Sequence, residues 1–460
     1  MKYLLYFCLF VSFSYVHAQN KNFSKGMKFD DNAYKKTLQK APLTRSMYGN
    51  SMPESASMKK WAPTPKSQGQ YGTCVAWSSG YCAMTILNSM AENTLDKEKI
   101  TNNAFSPGFL YKEAKLSGDD ECSYGTYINN AMDVLTGKGI VKYADFNTDC
   151  AEDIPNYLYD KAKNNTIATY AKIFDISDNN SFKIQAAQKS LSENKPLVIG
   201  MKCPDSFSDA SGCWSPKEDY SADWGGHAMC VIGYDDNMHG GAFEIQNSWG
   251  TWWGNEGYIW IKYEDFANWT KYAYELVPRQ QPSKEVDLAG AVKYVLSNKE
   301  EMNADLTAGK TYKMKQAYKS GTKFRLYISN NAPAFVYAFG SDATNKTFQI
   351  FPHLPTISPA LNYSANDVAI PDEDHFIQMD NTIGTDFLCV VYSINPLDID
   401  QIRQKIETSS GTFSEKVKSV LSDKLVTSSE LTFDMSKISF KAKSKDKSVV
   451  ALIVEIPHIP

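Results

Sequence analysis

Between Cys74 and Ala91 the apolar side chains Trp77, Tyr81, Met84 and Leu87 recur at the spacing of one helix face. Gly69 and Gly72 make the approach to that helix a tight loop. Residues 126–137 and 181–194 predict further helices, the second closing at Asn194-Lys195-Pro196. From Leu197 the period becomes strand-like, and short strands with glycine-rich turns are expected as far as Val277. The polar, proline-bearing stretch Pro278-Arg-Gln-Gln-Pro-Ser283 sets a domain boundary. Beyond it the pattern predicts strands at 324–329, 334–339, 347–351, 375–379 and 386–393. Helices follow at 397–408 and 413–425, then strands at 437–442 and 448–456. The long loop from Pro352 to Pro371 is expected to be ordered by packing. Phe335, Tyr337 and Phe339 alternate at strand period and are expected in the core.

At the start, Met1-Lys2 precedes an apolar run from Tyr3 to Val16 and the small-residue end Val16-His17-Ala18, the pattern of a secretory signal peptide over 1–18. That run is too short to span a bilayer, and no later segment is long and apolar enough to do so. Residues 19–52 are polar and lack a strong period, as expected of a flexible leader or a short propeptide. The units are then 53–278, a linker at 279–286, and a β-rich domain at 287–460.

The length of 460 residues favours two or three domains, and 43% hydrophobic with 22% charged residues is ordinary for a globular chain. A net charge of −4 gives no nucleic-acid footprint and no membrane-surface patch. Export makes disulfides possible. Cys203 and Cys213 flank a short polar loop and are one candidate pair; Cys122 with Cys150 is the second. Cys82 and Cys230, in apolar surroundings, are expected as buried thiols. No C-x-x-C pair occurs, and neither a metal nor a cofactor is expected. The acidic run Pro371-Asp-Glu-Asp-His375 is expected to be a solvated loop.

Three distant segments carry chemistry. Gln68-Gly-Gln-Tyr-Gly-Thr-Cys74 ends on a cysteine at a helix start, where unpaired N–H groups and the helix dipole favour thiolate. Gly225-Gly226-His227-Ala228 places a histidine at the mouth of an apolar strand. Of the six histidines, His17 lies in the signal segment, His239 in a turn, and His353, His375 and His458 in the second domain. The third segment is Asn247-Ser-Trp249-Gly-Thr-Trp-Trp-Gly-Asn-Glu-Gly-Tyr258. Between the last two, Asp235 to Gly241 signals a hairpin turn. Folding about residue 237 would set His227 and Asn247 side by side, about 5 Å apart. Asn247 would then fix the imidazole tautomer, and Trp249 would cover the bond.

These segments, in this order, resemble papain-like cysteine peptidases over roughly residues 53–278. The resemblance implies an α+β, two-lobed fold, helical on the Cys side and β-barrel-like on the His side. It implies a covalent acyl-enzyme route with nucleophile Cys74, base His227 and orienting Asn247, acting on peptide or protein substrates. Gln68 with the Cys74 N–H would form the oxyanion hole, and Gly125 would belong to the wall that pairs with substrate. Gly226 and Trp249 support the site. Two positions depart from the family: Val75 follows the nucleophile where Trp is usual, and Tyr71 replaces a disulfide-forming Cys. Residues 19–52 would either block the cleft or act as a spacer. The second domain resembles a β-rich, sandwich-like module of uncharacterised function in bacterial exported proteins, carried by Arg325 to Gly340 and Pro371 to His375; its partner is unknown. The expected location is outside the cytoplasm (periplasm, cell surface or medium). Two alternatives stay open: a scaffold acting as exopeptidase or acyl transferase, and a catalytically silent binding protein.

Overall fold

The computed structural model describes residues 23–49, 52–148, 153–279, 286–363 and 366–460. The signal-like segment 1–18, Cys150 and most of the linker lie outside these.

The first unit has a helical lobe and a sheet lobe. The helical lobe contains the segment Cys74–Ala91 and the helices Lys97–Asn102, Pro107–Ala114, Ile128–Gly137 and Asn156–Ala162. Pro107–Ala114 starts as its sequence dictates, with Ser106 capping the Phe109 N–H and proline in the first turn. The sheet lobe is built from β1 (Ser55–Ser57), β2 (Ile167–Lys172), β3 (Leu197–Lys202), β4 (Cys213–Trp214), β5 (Gly226–Asp235), β6 (Ala242–Gln246), β7 (Tyr258–Lys262) and β8 (Thr270–Pro278). Their order is β2-β8-β3-β5-β6-β7-β4, with β1 added to β5, and this path does not close into a barrel. The helices Asn180–Ser192 and Tyr263–Trp269 belong to this lobe; the second falls where the sequence predicts only short strands and glycine-rich turns.

The hairpin register differs from the simple expectation. β5 pairs β6 with Cys230 opposite Gln246, and a bulge falls between Val231 and Gly233. Continued, that register would set His227 opposite Trp249 rather than Asn247. His227 instead lies opposite Met201 of β3. The extra residue of the bulge and the short 3-10 turn Met238–Gly240 shift the fold-back point from residue 237.

Cys203 and Cys213 are both free thiols, so the loop between them is not closed by a bond as expected. Phe207 and Trp214 hold that loop instead, edge to face at 5.0 Å. Cys82 and Cys230 are free and buried, as expected. Cys122 is disulfide-bonded.

In the second unit two antiparallel-rich sheets face each other. One contains Val449–Ile459, Gly384–Ser393, Ala334–Ser341 and Thr347–Phe351 as neighbours; the other centres on Lys323–Asn330, Val286–Leu296 and Ser439–Ser444. Leu326, Ile328, Val336, Val390 and Leu452 fill the space between them. Ala334–Ser341 is buried at every position. Its other face, with Phe335, Tyr337 and Phe339, is covered by the helices Ile399–Thr408 and Phe413–Val420 and by Ala168 and Val277 of the first unit. The long loop after Pro352 holds two short strands, Ala360–Leu361 and Val368–Ile370. The strand expected at 375–379 shrinks to Ile377–Gln378, and the helix expected to reach 425 stops at Val420.

The leader is built into this fold. The helix Asp31–Lys36, capped by Asp30, lies on β8 with Tyr34 wholly buried: its hydroxyl donates to the Phe174 carbonyl at 2.8 Å and its ring stacks on Tyr272 at 4.3 Å. Gln39 then bridges both Lys172 of β2 and Ile357 of the second unit as a parallel strand. Next to it Lys40 Nζ meets Glu275 Oε2 at 2.6 Å, with side chains only 6% and 1% exposed. Asn362 of the second unit donates to the other oxygen of Glu275 at 2.9 Å and accepts from Lys195 at 3.1 Å. Leader and both units therefore meet in one buried ionic network.

Removing one partner of such a pair leaves a charge buried without compensation, so Lys40→Met is expected to cost about 3 kcal/mol in urea denaturation. Burial would raise the Glu275 carboxyl, but Lys40 and Lys195 outweigh it and hold it below its ordinary 4.5. A carboxyl lowered on folding stabilises above its unfolded value, and that contribution is lost as pH falls through the lowered one. The acid limb of a Tm-against-pH curve is accordingly expected to be steeper in the parent chain than in Lys40→Met.

Candidate active site

Cys74 opens a continuous helical segment that is α to Ala76, π from Trp77 to Met84 and α again to Ala91. Thr73, before it, places no side chain on the first turn, so backbone N–H groups and the positive end of the aligned peptides face the thiol. Every residue from Cys74 to Ile86 is buried. The single apolar stripe expected from Trp77 and Tyr81 is thus a helix enclosed on all sides, with a π turn that shifts its phase. Val75, where the resemblance expects Trp, is buried here as well.

His227 is the second residue of β5, and Asn247 follows the last residue of β6. Although their backbones are not directly paired, His227 Nε2 lies 2.8 Å from Asn247 Oδ1. The Ser248 N–H also donates to that Oδ1 at 2.8 Å. Only oxygen can accept there, which assigns the amide orientation. Nε2 therefore carries the proton, and Nδ1 is left as an acceptor. Nδ1 is buried and has no hydrogen-bond partner among the described residues. Trp249 stacks on the imidazole at 4.6 Å and 25° and seals the bond from water. Burial pulls the imidazole down to about 4; the Asn247 bond opposes this and Lys25 adds to it.

Gln68 is aimed by the same loop. Ser248 Oγ donates to its Oε1 at 2.6 Å, which turns Nε2 toward the cleft. Nε2 donates to the Tyr71 carbonyl at 2.8 Å and to the leader's Ser24 carbonyl at 3.2 Å.

The leader threads the cleft in extended form. Met27 N–H donates to Gly226 at 3.2 Å on the sheet lobe; Lys28 N–H donates to Thr126 at 3.0 Å, and Thr126 N–H to Gly26 at 2.9 Å, on the helical lobe. The approach is so close that a Cβ on Gly26 would lie 1.9 Å from the Gly72 oxygen, and one on Gly125 1.9 Å from the Gly26 oxygen. Phe23 stacks on Trp249 at 4.3 Å. Under this cover Cys74 and His227 are 0% exposed. Burial raises the thiol, against backbone hydrogen bonds from Ala228, Gly26 and Val75 that lower it.

Cys74, His227, Asn247, Gln68, Trp249, Gly125 and Gly226 thus gather in one cleft. Sequence reasoning assigned no role to Ser248, which orients both amides, or to Ala228 and Thr126, which act through backbone alone. Ser248 stood inside the Asn-Ser-Trp run and was within reach. The occupancy of the cleft by residues 23–29 left only a glycine among Phe23, Met27 and Phe29 as a signal.

Residues 52–279 match the family model described as papain family cysteine protease. Residues 317–396 match a domain of unknown function, DUF4384. An uncharacterized peptidase C1-like protein of Acanthamoeba polyphaga mimivirus is 24% identical over 250 residues, 51% of this chain and 77% of the relative. Cysteine proteinase 3 of Entamoeba histolytica is 24% identical over 216 residues, 45% of this chain and 62% of its own length. Xylellain, a cysteine protease from Xylella fastidiosa, aligns with 20% identity and a TM-score of 0.44, over 56% of this chain and 96% of its own. The chain therefore carries a papain-family cysteine peptidase domain over residues 52–279, followed by a DUF4384 region.

Proposed function

We propose that the chain is an exported cysteine peptidase, acting through Cys74, His227 and Asn247 and held latent by its own leader. The observation that carries this reading is a peptide backbone already lying in the cleft, with a carbonyl on Gln68 Nε2 and an amide on the Cys74 thiol. A substrate needs the same groups in a different register. Its scissile carbonyl must reach Gln68 and the Cys74 N–H while its carbon faces sulfur. In the leader, the N–H that meets the thiol is that of Gly26, and the carbonyl of the next peptide, Gly26–Met27, is held away from sulfur by the Thr126 N–H. The thiol then faces a donor rather than an electrophile, and the leader is not cut there.

With the leader gone, the Cys74 proton passes to His227 Nδ1, and the imidazolium keeps its Nε2–H on Asn247 Oδ1. The thiolate attacks the carbonyl, and the charge that develops on oxygen is held by Gln68 and the Cys74 N–H. His227 protonates the leaving amine and then activates the water that releases the acyl-enzyme. Export is supported by the basic, apolar and small-residue order of residues 1–18. Among the described residues no helix is long and apolar enough to cross a membrane.

In leader-free protein, Gln68→Ala is expected to lower kcat about 10²–10³-fold on a fluorogenic peptide library while leaving the melting curve in place. An epoxysuccinyl inhibitor should add once to the parent and not to Cys74→Ala. No adduct and no cleavage by folded, leader-free protein would favour the silent binding protein.

Gly26→Val should expel the leader strand without touching the catalytic residues. In the parent, burial holds the thiol above its ordinary 9.0, so alkylation by iodoacetamide should be slow at neutral pH and rise only in alkali. In Gly26→Val the rate at pH ~7 should increase at least about tenfold and its pH profile should move to lower pH. An unchanged profile would remove the leader from the control of Cys74.

A further inference from the structure

We infer that the C-terminal domain is the holder of the leader: its face around Ile357, Tyr363 and Asp367 binds leader residues 39–48, and this grip keeps the cleft strand in place. The inference rests on the reading of residues 23–29 as a block. Three kinds of contact carry it. Backbone pairing comes first: Gln39 N–H donates to Thr356 at 2.6 Å, Ser358 N–H to Gln39 at 2.8 Å, and Thr44 N–H to Asp367 at 2.9 Å. Second, Ala41 and Leu43, 0% and 4% exposed, belong to the hydrophobic core of the C-terminal domain itself, and Tyr363 Oη donates to the Ala41 carbonyl at 2.9 Å. Third, the acidic run that sequence alone presents as a solvated loop receives a leader cation: Arg45 Nη2 lies 2.6 Å from Asp374, and Arg45 N–H donates to Glu373 at 2.6 Å.

The division of labour follows from chemistry. The cleft strand is short, and apart from Met27 it offers mostly backbone and partly exposed side chains. A segment that pairs with water almost as well as with the cleft needs anchorage elsewhere to stay bound. The helix Asp31–Lys36 supplies some of it on the peptidase. Residues 39–48 supply the rest on the second domain, through backbone pairing, burial of Ala41 and Leu43, and charge. Two grips on one segment raise the effective concentration of the cleft strand at the site. The leader should therefore remain bound, and Cys74 covered, after the chain is cut between leader and peptidase.

The test uses the full chain from residue 19, with a site-specific protease sequence placed between Gly49 and Met52, in a Cys74→Ala background that excludes self-digestion. After cutting, leader retention is read by size exclusion with intact mass, and affinity by re-adding synthetic 23–48 peptide to leader-stripped protein. The parent should retain the leader. Leu43→Asp in the peptide should weaken binding at least about a hundredfold, because a carboxylate replaces a buried side chain. Tyr363→Phe, made on the domain side and checked by its melting curve, should weaken it about three- to tenfold. Loss of the leader from the cut parent would overturn the inference, as would equal affinity for the Leu43→Asp peptide or for the Tyr363→Phe protein. None of these readouts needs turnover, so a failed peptidase assay would count against the catalytic reading and leave this one standing on its own result.

Discussion

Gly26, Met27 and Lys28 are hydrogen-bonded to Thr126 on one lobe and Gly226 on the other, at a distance that only glycines at 26, 125 and 226 permit. Most of the site's present properties follow from that passage. The strand removes water from Cys74 and His227, which raises the thiol and lowers the imidazole, and Lys25 beside it makes a second positive charge on His227 costlier. Both shifts favour thiol and uncharged imidazole over thiolate and imidazolium. In the proposed latent state the strand would act electrostatically as well as sterically, favouring the neutral pair as well as filling the cleft.

The same segment explains how two domains come to sit together. An eight-residue strand buried on both faces, Ala334–Ser341, requires cover on the side away from its own core. Part of that cover is Ala168 and Val277 of the peptidase. The leader runs along this junction as a shared strand at Gln39, and Lys40, Glu275, Asn362 and Lys195 close it with a network in which each charge has a partner. Lys40 and Lys195 both favour the charged form of the buried Glu275 carboxyl. One of them belongs to the leader.

What the sequence disclosed depended on how local the cause was. The helix starting at Cys74, the strands from Lys323 to Ser341 and the three chemistry-bearing segments all have causes within a few neighbouring residues: apolar period, turn glycines, a cysteine before an apolar run. Where the cause is a contact between distant residues, the reading failed. The bulge at Val231 and Gly233 answers to β1 as well, whose Ala56 oxygen would lie 2.5 Å from a Cβ on Gly233, and no pattern in the hairpin announces it. The pairing of Cys203 with Cys213 followed from their spacing, but Phe207 and Trp214 already close that loop by packing. The order of the leader was illegible for the same reason: Tyr34, Ala41 and Leu43 are isolated apolar residues in a polar stretch, the first buried by the peptidase and the other two by the second domain.

The placement of polar partners separates what the catalytic centre requires from what the leader adds. Asn247, Ser248 and Trp249 hold His227, and Tyr71 and Ser248 hold Gln68, all from within residues 52–279. Removing the leader leaves those bonds intact and opens Thr126 and Gly226, backbone groups at a surface where water or an extended peptide can pair with them. On the C-terminal domain the same removal takes Ala41 and Leu43 out of a hydrophobic core and uncovers the apolar surface they fill. The peptidase gives up buried residues too, Met27 and Tyr34 from its core and Lys40 from Glu275, so the leader completes both units while the bonds that orient His227 and Gln68 lie outside it.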